Sequence, residues 1–287
     1  MEISKGQLII VFGMILCLNT MASFKYENKA CEQQATYFLS DDSVLTINGK
    51  GMVCPNPIDK NKVKKIIIGN GITIIGKFAF QDYGELTEVI IPNSVTVIGE
   101  QAFWGCSKLR KVTNSDSLKK IGWGAFAGCK ELQDIKIPNT VKEIVGIAFV
   151  GCDNMKYNED NQAYYLGNES NPYHTYVMPK SINIEECKIN DECKIIPGCA
   201  FSSCEKLKTI IIPMSITNIC SYAFNSYDKL KYIICKSSIP PIIGYIDSEI
   251  TNNATLYVPK ESIKAYKKAD GWRNFKKIKA IESLNKK

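Results

Sequence analysis

The sequence predicts a β-solenoid, an α+β fold in which short strands are stacked rung upon rung. One phrase recurs along the chain: an aliphatic residue, two variable residues, a second aliphatic residue, then Ala-Phe, with a Cys three residues after the Phe and a Leu or Met three residues later. A step of 23 residues separates the Phe of one phrase from the next, at Phe80, Phe103, Phe126 and Phe149 and again at Phe201 and Phe224. A fixed period in the twenties that is rich in aliphatic residues is typical of a leucine-rich-repeat solenoid.

Each predicted rung combines a short strand, a turn and a set of inward-facing aliphatic side chains. Aligned on the Phe, aliphatic residues recur eight and five residues before it and six and nine residues after it, as Val95, Ile98, Leu109 and Val112 do around Phe103. The segment that begins eight residues after the Phe predicts the strand, which a Pro ends in several rungs because Pro cannot donate to the ladder. Each rung buries about five apolar side chains, worth roughly 1.5–3 kcal/mol apiece, so a single rung is not stable alone.

The first residues predict export from the cell. Residues 1–22 predict a secretory signal peptide, because Lys5 precedes the apolar run Leu8–Leu18 and small residues suit cleavage after Ala22. That run is too short to span a bilayer comfortably. The predicted location is therefore secreted, extracellular or cell-surface, with no transmembrane anchor expected beyond the signal peptide.

A β-hairpin is predicted before the first rung. Residues 23–60 form the expected N-terminal cap, in which Ala35–Leu39 and Val44–Asn48 flank a Ser-Asp-Asp-Ser turn. A solenoid needs such a cap because its first rung would otherwise expose a sheet edge and core side chains.

The predicted solenoid occupies residues 61–235 and contains one expanded rung. The spacing between Phe149 and Phe201 exceeds two periods, which places an insertion at about 156–192. This segment predicts two short strands, Ala163–Leu166 and Tyr173–Met178, around a polar turn.

A C-terminal cap and basic tail are predicted over residues 236–287. The regular period ends after Ile234, and a strand at Leu256–Val258 and a short helix at Glu261–Lys268 follow. Aromatic and aliphatic side chains are expected to cover the open end of the core, namely those of Trp272, Phe275 and Ile278.

The repeated phrase is similar to that of a known family. The pattern I-P-x-S/T-V-x-x-I-G-x-x-A-F-x-x-C-x-x-L resembles the BspA-like leucine-rich repeat, found in secreted and surface proteins of anaerobic bacteria and some mucosal protists. The segment Tyr164–Pro172 and the tail LYVPKESIKAY also resemble that family, and the likeness covers about residues 64–278. The sequence departs from the family pattern four residues before the Phe, where Val145, Pro197 and Cys220 replace a Gly. The resemblance implies protein binding and, for several members, adhesion to host proteins.

Twelve cysteines raise the question of disulfides or metal ligands. Four of them lie three residues after the Phe of successive rungs, in a column that also holds Tyr83 and Tyr227: Cys106, Cys129, Cys152 and Cys204. Metal ligands must converge from different directions, and parallel side chains in neighbouring rungs are too far apart for a good bridge. A ladder of buried thiols is therefore predicted. The pairing of the others stays open, including Cys31 with Cys54 and any bridge among Cys187, Cys193, Cys199, Cys220 and Cys235.

Catalysis, metal binding and cofactor binding are not predicted. His174 is the single histidine and is interpreted as a surface or hairpin residue, because nothing in the sequence places a nucleophile or an orienting acid beside it. Asp41-Asp42 and Glu185-Glu186 are interpreted as solvated turn residues, and no phosphate-binding Gly loop is present. The formal charge of +7 is interpreted as that of lysines that keep the solenoid surface solvated. An acidic or anionic partner is the other interpretation. The sequence contains no basic stripe interleaved with aromatic residues, so nucleic-acid binding is not indicated.

The outward side chains of the repeat strands are the candidate binding surface. Successive residues of a strand face opposite sides, so the positions eight and ten after the Phe point away from the core. These are Glu88, Ile90, Lys111, Thr113, Asp134, Lys136, Thr209, Ile211, Tyr232 and Ile234. Apolar residues among them favour an interface. β-branched residues also simply suit strands, which is the alternative.

The sequence thus predicts a secreted or cell-surface leucine-rich repeat protein that binds an extracellular or surface protein, and the family resemblance implies adhesion to host or neighbouring cells as one such role. It is not predicted to be an enzyme. The alternatives are a structural envelope or matrix component and a carbohydrate-binding module. A carbohydrate-binding module would be expected to show exposed aromatic residues in a row, and only Tyr232 fits.

Overall fold

A computed structural model of the chain describes residues 35–224 and 229–286. These residues form two compact units, 35–157 and 158–286. Each unit is built from two largely parallel sheets whose strands come from successive rungs, so the predicted β-solenoid fold is confirmed. The signal-peptide prediction, Cys31 and Tyr227 lie outside the described residues.

The first sheet of unit 35–157, named sheet 1, begins with the predicted hairpin. Strand β1 (Ala35–Leu39) pairs antiparallel with β2 (Val44–Gly49), because the turn between them reverses the chain within a few residues. β2 then pairs in parallel with the strand of the next rung. The later strands of sheet 1 are β4 (Lys65–Ile68), β6 (Glu88–Ile90) and β8 (Lys111–Thr113).

The second sheet of this unit, named sheet 2, is formed by the residues just before each Ala-Phe segment. It was not predicted as a sheet, although its residues include the aliphatic column five residues before the Phe. Its strands are β3 (Gly51–Val53), β5 (Ile72–Ile75), β7 (Val97–Ile98), β9 (Lys120–Ile121) and β10 (Glu143–Ile144).

The Ala-Phe turns connect neighbouring rungs through backbone hydrogen bonds and stacked rings. The amide of Phe80 donates to the carbonyl of Ala102, and that of Phe103 donates to Ala125, each at 2.8 Å. The ring of Phe103 stacks on Phe80 at 5.3 Å and on Phe126 at 5.2 Å between centroids. The core of this unit is therefore a column of buried phenylalanines between the two sheets.

Unit 158–286 begins with the expanded rung. The predicted strands of this rung form a hairpin and belong to sheet 3. Tyr176 of the hairpin is fully buried and packs on Phe201 at 5.0 Å, so it continues the aromatic column in place of a Phe. The strands of sheet 3 are β11 (Asn158–Glu159), β12 (Ala163–Asn168), β13 (Asn171–Pro179), β15 (Ile195–Ile196), β17 (Asn218–Ile219) and β19 (Ile242–Ile243).

The other sheet of this unit, named sheet 4, continues beyond the point where the repeated phrase ends. Tyr232 pairs with Thr255, and Thr255 pairs with Lys277, in the same parallel register as the rungs before them. The ladder therefore extends past Ile234 to nearly the end of the described chain. The strands of sheet 4 are β14 (Glu186–Lys188), β16 (Thr209–Ile212), β18 (Tyr232–Cys235), β20 (Thr255–Val258) and β21 (Lys277–Ala280).

Short helices close the last rungs. Helix α1 (Ser248–Asn253) was not predicted, and its N-terminus is capped by Asp247, whose side chain accepts a hydrogen bond from the amide of Glu249. The predicted helix at 261–268 is a 3-10 turn followed by α2 (Ile263–Tyr266). Further 3-10 turns lie at Lys60–Lys62, Trp272–Asn274 and Ile281–Lys286. The indole nitrogen of the buried Trp272 donates to the carbonyl of Pro241 at 2.8 Å, which fixes the ring under the last rung.

Candidate protein-binding surface

The strands alternate between core and solvent as the predicted register requires. In β6, β8 and β16 the middle residues Val89, Val112 and Ile210 are buried, whereas their neighbours are half-buried or exposed. All ten predicted surface residues lie on the outward side of a sheet 1 or sheet 4 rung: Glu88, Ile90, Lys111, Thr113, Asp134, Lys136, Thr209, Ile211, Tyr232 and Ile234. The geometry therefore brings them together in two groups, one in each unit.

The outward face of sheet 1 is a ladder of ion pairs. The carboxylate of Glu88 lies 2.8 Å from the ammonium of Lys65 and 3.4 Å from that of Lys111, in the rungs on either side. The hydrogen bond from Lys65 holds the pKa of Glu88 below its ordinary value, and Lys111 adds to that shift. Lys136 pairs with Asp116 at 2.9 Å. Glu88, Lys65, Lys111 and Lys136 on this face are thus all paired within the unit.

The outward face of sheet 4 has a different composition. Register places Lys188, Ile211, Ile234, Tyr257 and Lys279 side by side in one row across the five strands. The row beside it holds Glu186, Thr209, Tyr232, Thr255 and Lys277. Both rows therefore have charged residues on the outer strands and uncharged residues between them.

The middle of sheet 4 is an apolar and aromatic surface. Ile211 and Ile234 are half-buried, and Tyr232 is 38% exposed. The Tyr232 ring packs edge-on against Tyr257 with centroids 6.0 Å apart. Sequence reasoning missed Tyr257, because alignment on the Ala-Phe phrase stops before β20. Tyr257 could have been found by its position, which is one 23-residue period after Ile234.

The cysteine column is a set of buried, unbridged thiols, as predicted. The sulfurs of Cys106, Cys129 and Cys152 each lie 3.2 Å from a Phe carbonyl of the preceding rung, to which the thiol donates. Burial raises the pKa of Cys106 and of Cys152 to about 12 and that of Cys129 well above its ordinary value. These thiols are inert at neutral pH because the thiolate is the reactive form.

Among the cysteines that the structure describes, Cys54 and Cys199 each take part in a disulfide. Cys187, Cys193 and Cys235 are buried free thiols, so Cys199 is not bridged to any of these three. Among the residues that the structure describes, no group of three or more His, Cys, Asp and Glu side chains could hold a metal ion.

His174 lies inside the fold, not at the surface. It is 3% exposed in strand β13, and its Nδ1 lies 3.1 Å from the hydroxyl of Thr175. Burial lowers the pKa of His174 to about 4, with a smaller contribution from Lys194. The interpretation of His174 as a hairpin residue is correct, but a surface position is wrong, because the hairpin packs this side chain inward.

The expanded rung offers less exposed aromatic surface than its composition indicates. Tyr165 and Tyr176 are fully buried, and the hydroxyl of Tyr165 accepts a hydrogen bond from the amide of Asn190 at 3.0 Å. Tyr173 packs edge-on against Tyr165 at 5.4 Å. Most of this aromatic content therefore belongs to the core of unit 158–286.

Rungs that each contribute parallel strands and a turn with a buried Phe define a leucine-rich-repeat solenoid, a class of repeat protein that presents extended binding surfaces. The chain belongs to the BspA-type leucine-rich repeat family, whose pattern matches in 6 copies over residues 58–170 and 174–286. Solenoids of this class are typically non-catalytic protein-binding repeats. No helix in the described part of the chain is long and apolar enough to cross a membrane.

Several solved structures are similar to this chain. A leucine-rich repeat protein from Eubacterium ventriosum is 23% identical, with 79% of this chain and 70% of that chain covered and a TM-score of 0.40. A leucine rich cell surface protein from Faecalibacterium prausnitzii is 26% identical, with 79% and 53% covered and a TM-score of 0.37. The pneumococcal vaccine antigen PcpA is 16% identical, with 86% and 96% covered and a TM-score of 0.33. No curated protein matches the sequence.

Proposed function

We propose that this chain is a secreted or cell-surface repeat protein that binds other proteins through the outward faces of sheets 1 and 4, with adhesion to host or neighbouring cells as its role. The observation that carries the proposal is the apolar middle of sheet 4. Ile211, Tyr232 and Ile234 stand on the side of the strands away from the core, where they add nothing to the aromatic column. Apolar side chains gathered on an outward face favour an interface.

The family supports the same proposal. Leucine-rich-repeat solenoids use extended sheet surfaces for binding, and this surface is formed by one strand per rung. A carbohydrate-binding role is less favoured, because the Tyr257 side chain on this face is largely buried and Tyr232 is the exposed aromatic residue among the described strands of sheet 4. Lys111, Asp134 and Lys136 of sheet 1 would tune register and association rate, since charges at an interface act mainly on those properties.

The test is to replace Ile211, Tyr232 and Ile234 with Ser together in the mature protein. Binding to extracellular proteins captured by the parent protein should fall at least tenfold, which is about 1.4 kcal/mol. The melting temperature should change little, because these side chains contribute little to the core. A matched control replaces the exposed Met214 and Ile239, which lie outside the strands of sheet 4, with Ser.

Two outcomes would count against the sheet face. Unchanged binding in the triple variant would move the site to the expanded rung around Tyr164–Tyr176. A fall in binding that is matched by a fall in melting temperature would show that these side chains act through folding.

Export is part of the proposed function and has its own test. Residues 1–22 are proposed as a signal peptide that is removed after Ala22. Mass spectrometry of the extracellular protein should give an N-terminus near Ser23. Recovery of protein with an intact Met1 only from inside the cell would contradict export.

A further inference from the structure

The two lysines at the ends of the apolar row on sheet 4 lack acidic partners. Among the described residues of unit 158–286, ion pairs join Lys180 with Glu159, Lys208 with Glu185 and Arg273 with Asp270. In the described part of the chain, Lys188 and Lys279 form no ion pair, and both are exposed. Their ammonium groups are therefore available to carboxylates from another molecule.

The outward lysines of sheet 1 differ from Lys188 and Lys279 in their partners. On sheet 1 the outward lysines Lys65 and Lys111 both pair with Glu88. The sequence concentrates its positive charge toward the C-terminus, where residues 229–287 hold 13 Lys and Arg against 5 Asp and Glu. The preceding 228 residues hold 23 against 24, so they are close to neutral. Three of the five strands of sheet 4, namely β18, β20 and β21, thus lie in the part of the chain where positive charge is in excess.

We propose that sheet 4 binds an extended acidic segment of a protein partner, laid across the strands. Two carboxylates of the segment pair with Lys188 and Lys279, and the apolar side chains between them pack on Ile211 and Ile234. This inference rests on the proposed function and names the partner chemistry of the same site. Charge complementarity selects the partner, because an acidic segment matches the lysines Lys188, Lys277 and Lys279 of the two outward rows, in which Glu186 is the acidic residue.

The spacing of the row defines the segment. Neighbouring strands are roughly 4.8 Å apart, so the five strands from Lys188 to Lys279 span about 19 Å. An extended chain rises about 3.3 Å per residue, so it covers that distance in about six residues. Its side chains alternate between faces, which places two apolar side chains toward the sheet between the two carboxylates. The expected pattern is acidic-x-apolar-x-apolar-x-acidic.

The apolar middle distinguishes a protein segment from other anionic ligands. A sulfated polysaccharide or an anionic lipid surface would pair with Lys188, Lys277 and Lys279 but would leave Ile211 and Ile234 without apolar contacts. Desolvation of such apolar anchors usually dominates protein interfaces. The arrangement of lysines around isoleucines therefore favours a peptide that carries both kinds of side chain.

The experiment measures binding of fluorescein-labelled synthetic peptides to the full mature protein by anisotropy. The parent protein should bind the acid-flanked peptide at least tenfold more tightly than a peptide with lysines in place of the acids. Affinity should fall as salt rises from about 0.01 M to about 1 M, because the Debye length shrinks from roughly 30 Å to roughly 3 Å. Heparin and vesicles of anionic phospholipid serve as the other anionic probes.

Charge reversal gives a readout that misfolding cannot imitate. The variant with Lys188→Glu and Lys279→Glu should lose at least tenfold in affinity for the acid-flanked peptide. It should bind the lysine-flanked peptide at least tenfold more tightly than the parent does. The matched control is Lys119→Glu with Lys142→Glu, which makes the same change in net charge at exposed positions of unit 35–157. That control should leave both affinities unchanged.

The outcomes separate this inference from the proposed function. If the Ser triple variant loses captured proteins while no acid-flanked peptide binds the parent, protein binding stands and the acidic segment is wrong. If neither the triple variant nor charge reversal affects any binding, both proposals are wrong. Tighter binding of heparin or vesicles than of peptide, insensitive to Ile211→Ser, would overturn the peptide assignment. Preference for a helical peptide with carboxylates the same distance apart would overturn the extended geometry.

Discussion

Replacement of Phe126 by Ala tests whether the aromatic column carries the stability of the first unit. The Phe126 side chain is fully buried and stacks on Phe103 at 5.2 Å and on Phe149 at 5.7 Å, with nearly parallel rings. Removal of a buried Phe costs about 3–5 kcal/mol. Each aromatic contact is worth about 0.5–1.5 kcal/mol beyond burial, and two are lost here. We therefore expect a loss near the upper end of that range, about 5 kcal/mol.

The assay combines urea unfolding with hydrogen exchange. A matched variant, Phe126→Leu, keeps most of the buried volume but loses both ring contacts, so it should cost about 1–3 kcal/mol. Because each rung contacts only its neighbours, faster exchange in the alanine variant should appear first in the rungs of Phe103 and Phe149. Amides of β20 and β21 should exchange as in the parent.

Two results would refute this reasoning. A loss below about 1.5 kcal/mol for Phe126→Ala would show that the column relaxes around the missing ring instead of supporting its neighbours. Faster exchange that begins in unit 158–286 would show that stability is not transmitted from rung to rung.

Three further predictions concern single residues. Cys129→Ala should cost about 1–2 kcal/mol by denaturant unfolding, because a small buried group and its hydrogen bond are lost, and the unreduced, denatured parent should label at this thiol. Gly146→Ala should destabilise by about 1–3 kcal/mol, since φ is 55° and a Cβ would clash with the ring of Trp123, whereas Gly84→Ala, with open space, should be nearly neutral. The depressed pKa of His174 means that the unfolded chain binds its proton first, so stability should fall as pH drops from about 6.5 to about 4, and His174→Gln should remove that slope in a pH series of melting curves. Protection of Cys129 from labelling would contradict the first expectation, and a Gly146→Ala variant as stable as the parent would contradict the second. A pH slope that is the same in His174→Gln as in the parent would contradict the third.

The rung and its register could be predicted from sequence because two periods act together. The 23-residue step aligns the rungs, and the alternation within a strand then assigns each side chain to core or solvent. Both periods are visible in the sequence without knowledge of tertiary contacts. Val89 and Val112 face the core and Glu88 and Lys111 face solvent for this reason.

The last rungs and the expanded hairpin could not be predicted so well, because their core residues do not repeat. Trp272 fills the last rung without an Ala-Phe phrase, so β21 has no periodic signal in the sequence. His174 and Thr175 are adjacent in strand β13 and both buried, which breaks simple alternation. Burial there depends on how the hairpin packs in unit 158–286, and this is a property of the tertiary structure alone.

The different charge patterns of sheets 1 and 4 have a common electrostatic cause. Neighbouring strands bring outward side chains to about 5 Å, where like charges directly opposite each other are destabilising. On sheet 1, Lys65 and Lys111 avoid this because Glu88 lies between them. On sheet 4, uncharged residues separate Lys188 from Lys279 by about 19 Å, more than twice the Debye length of roughly 8 Å at physiological salt. These lysines therefore need no partner within the fold, and a partner molecule can use them without breaking an existing ion pair.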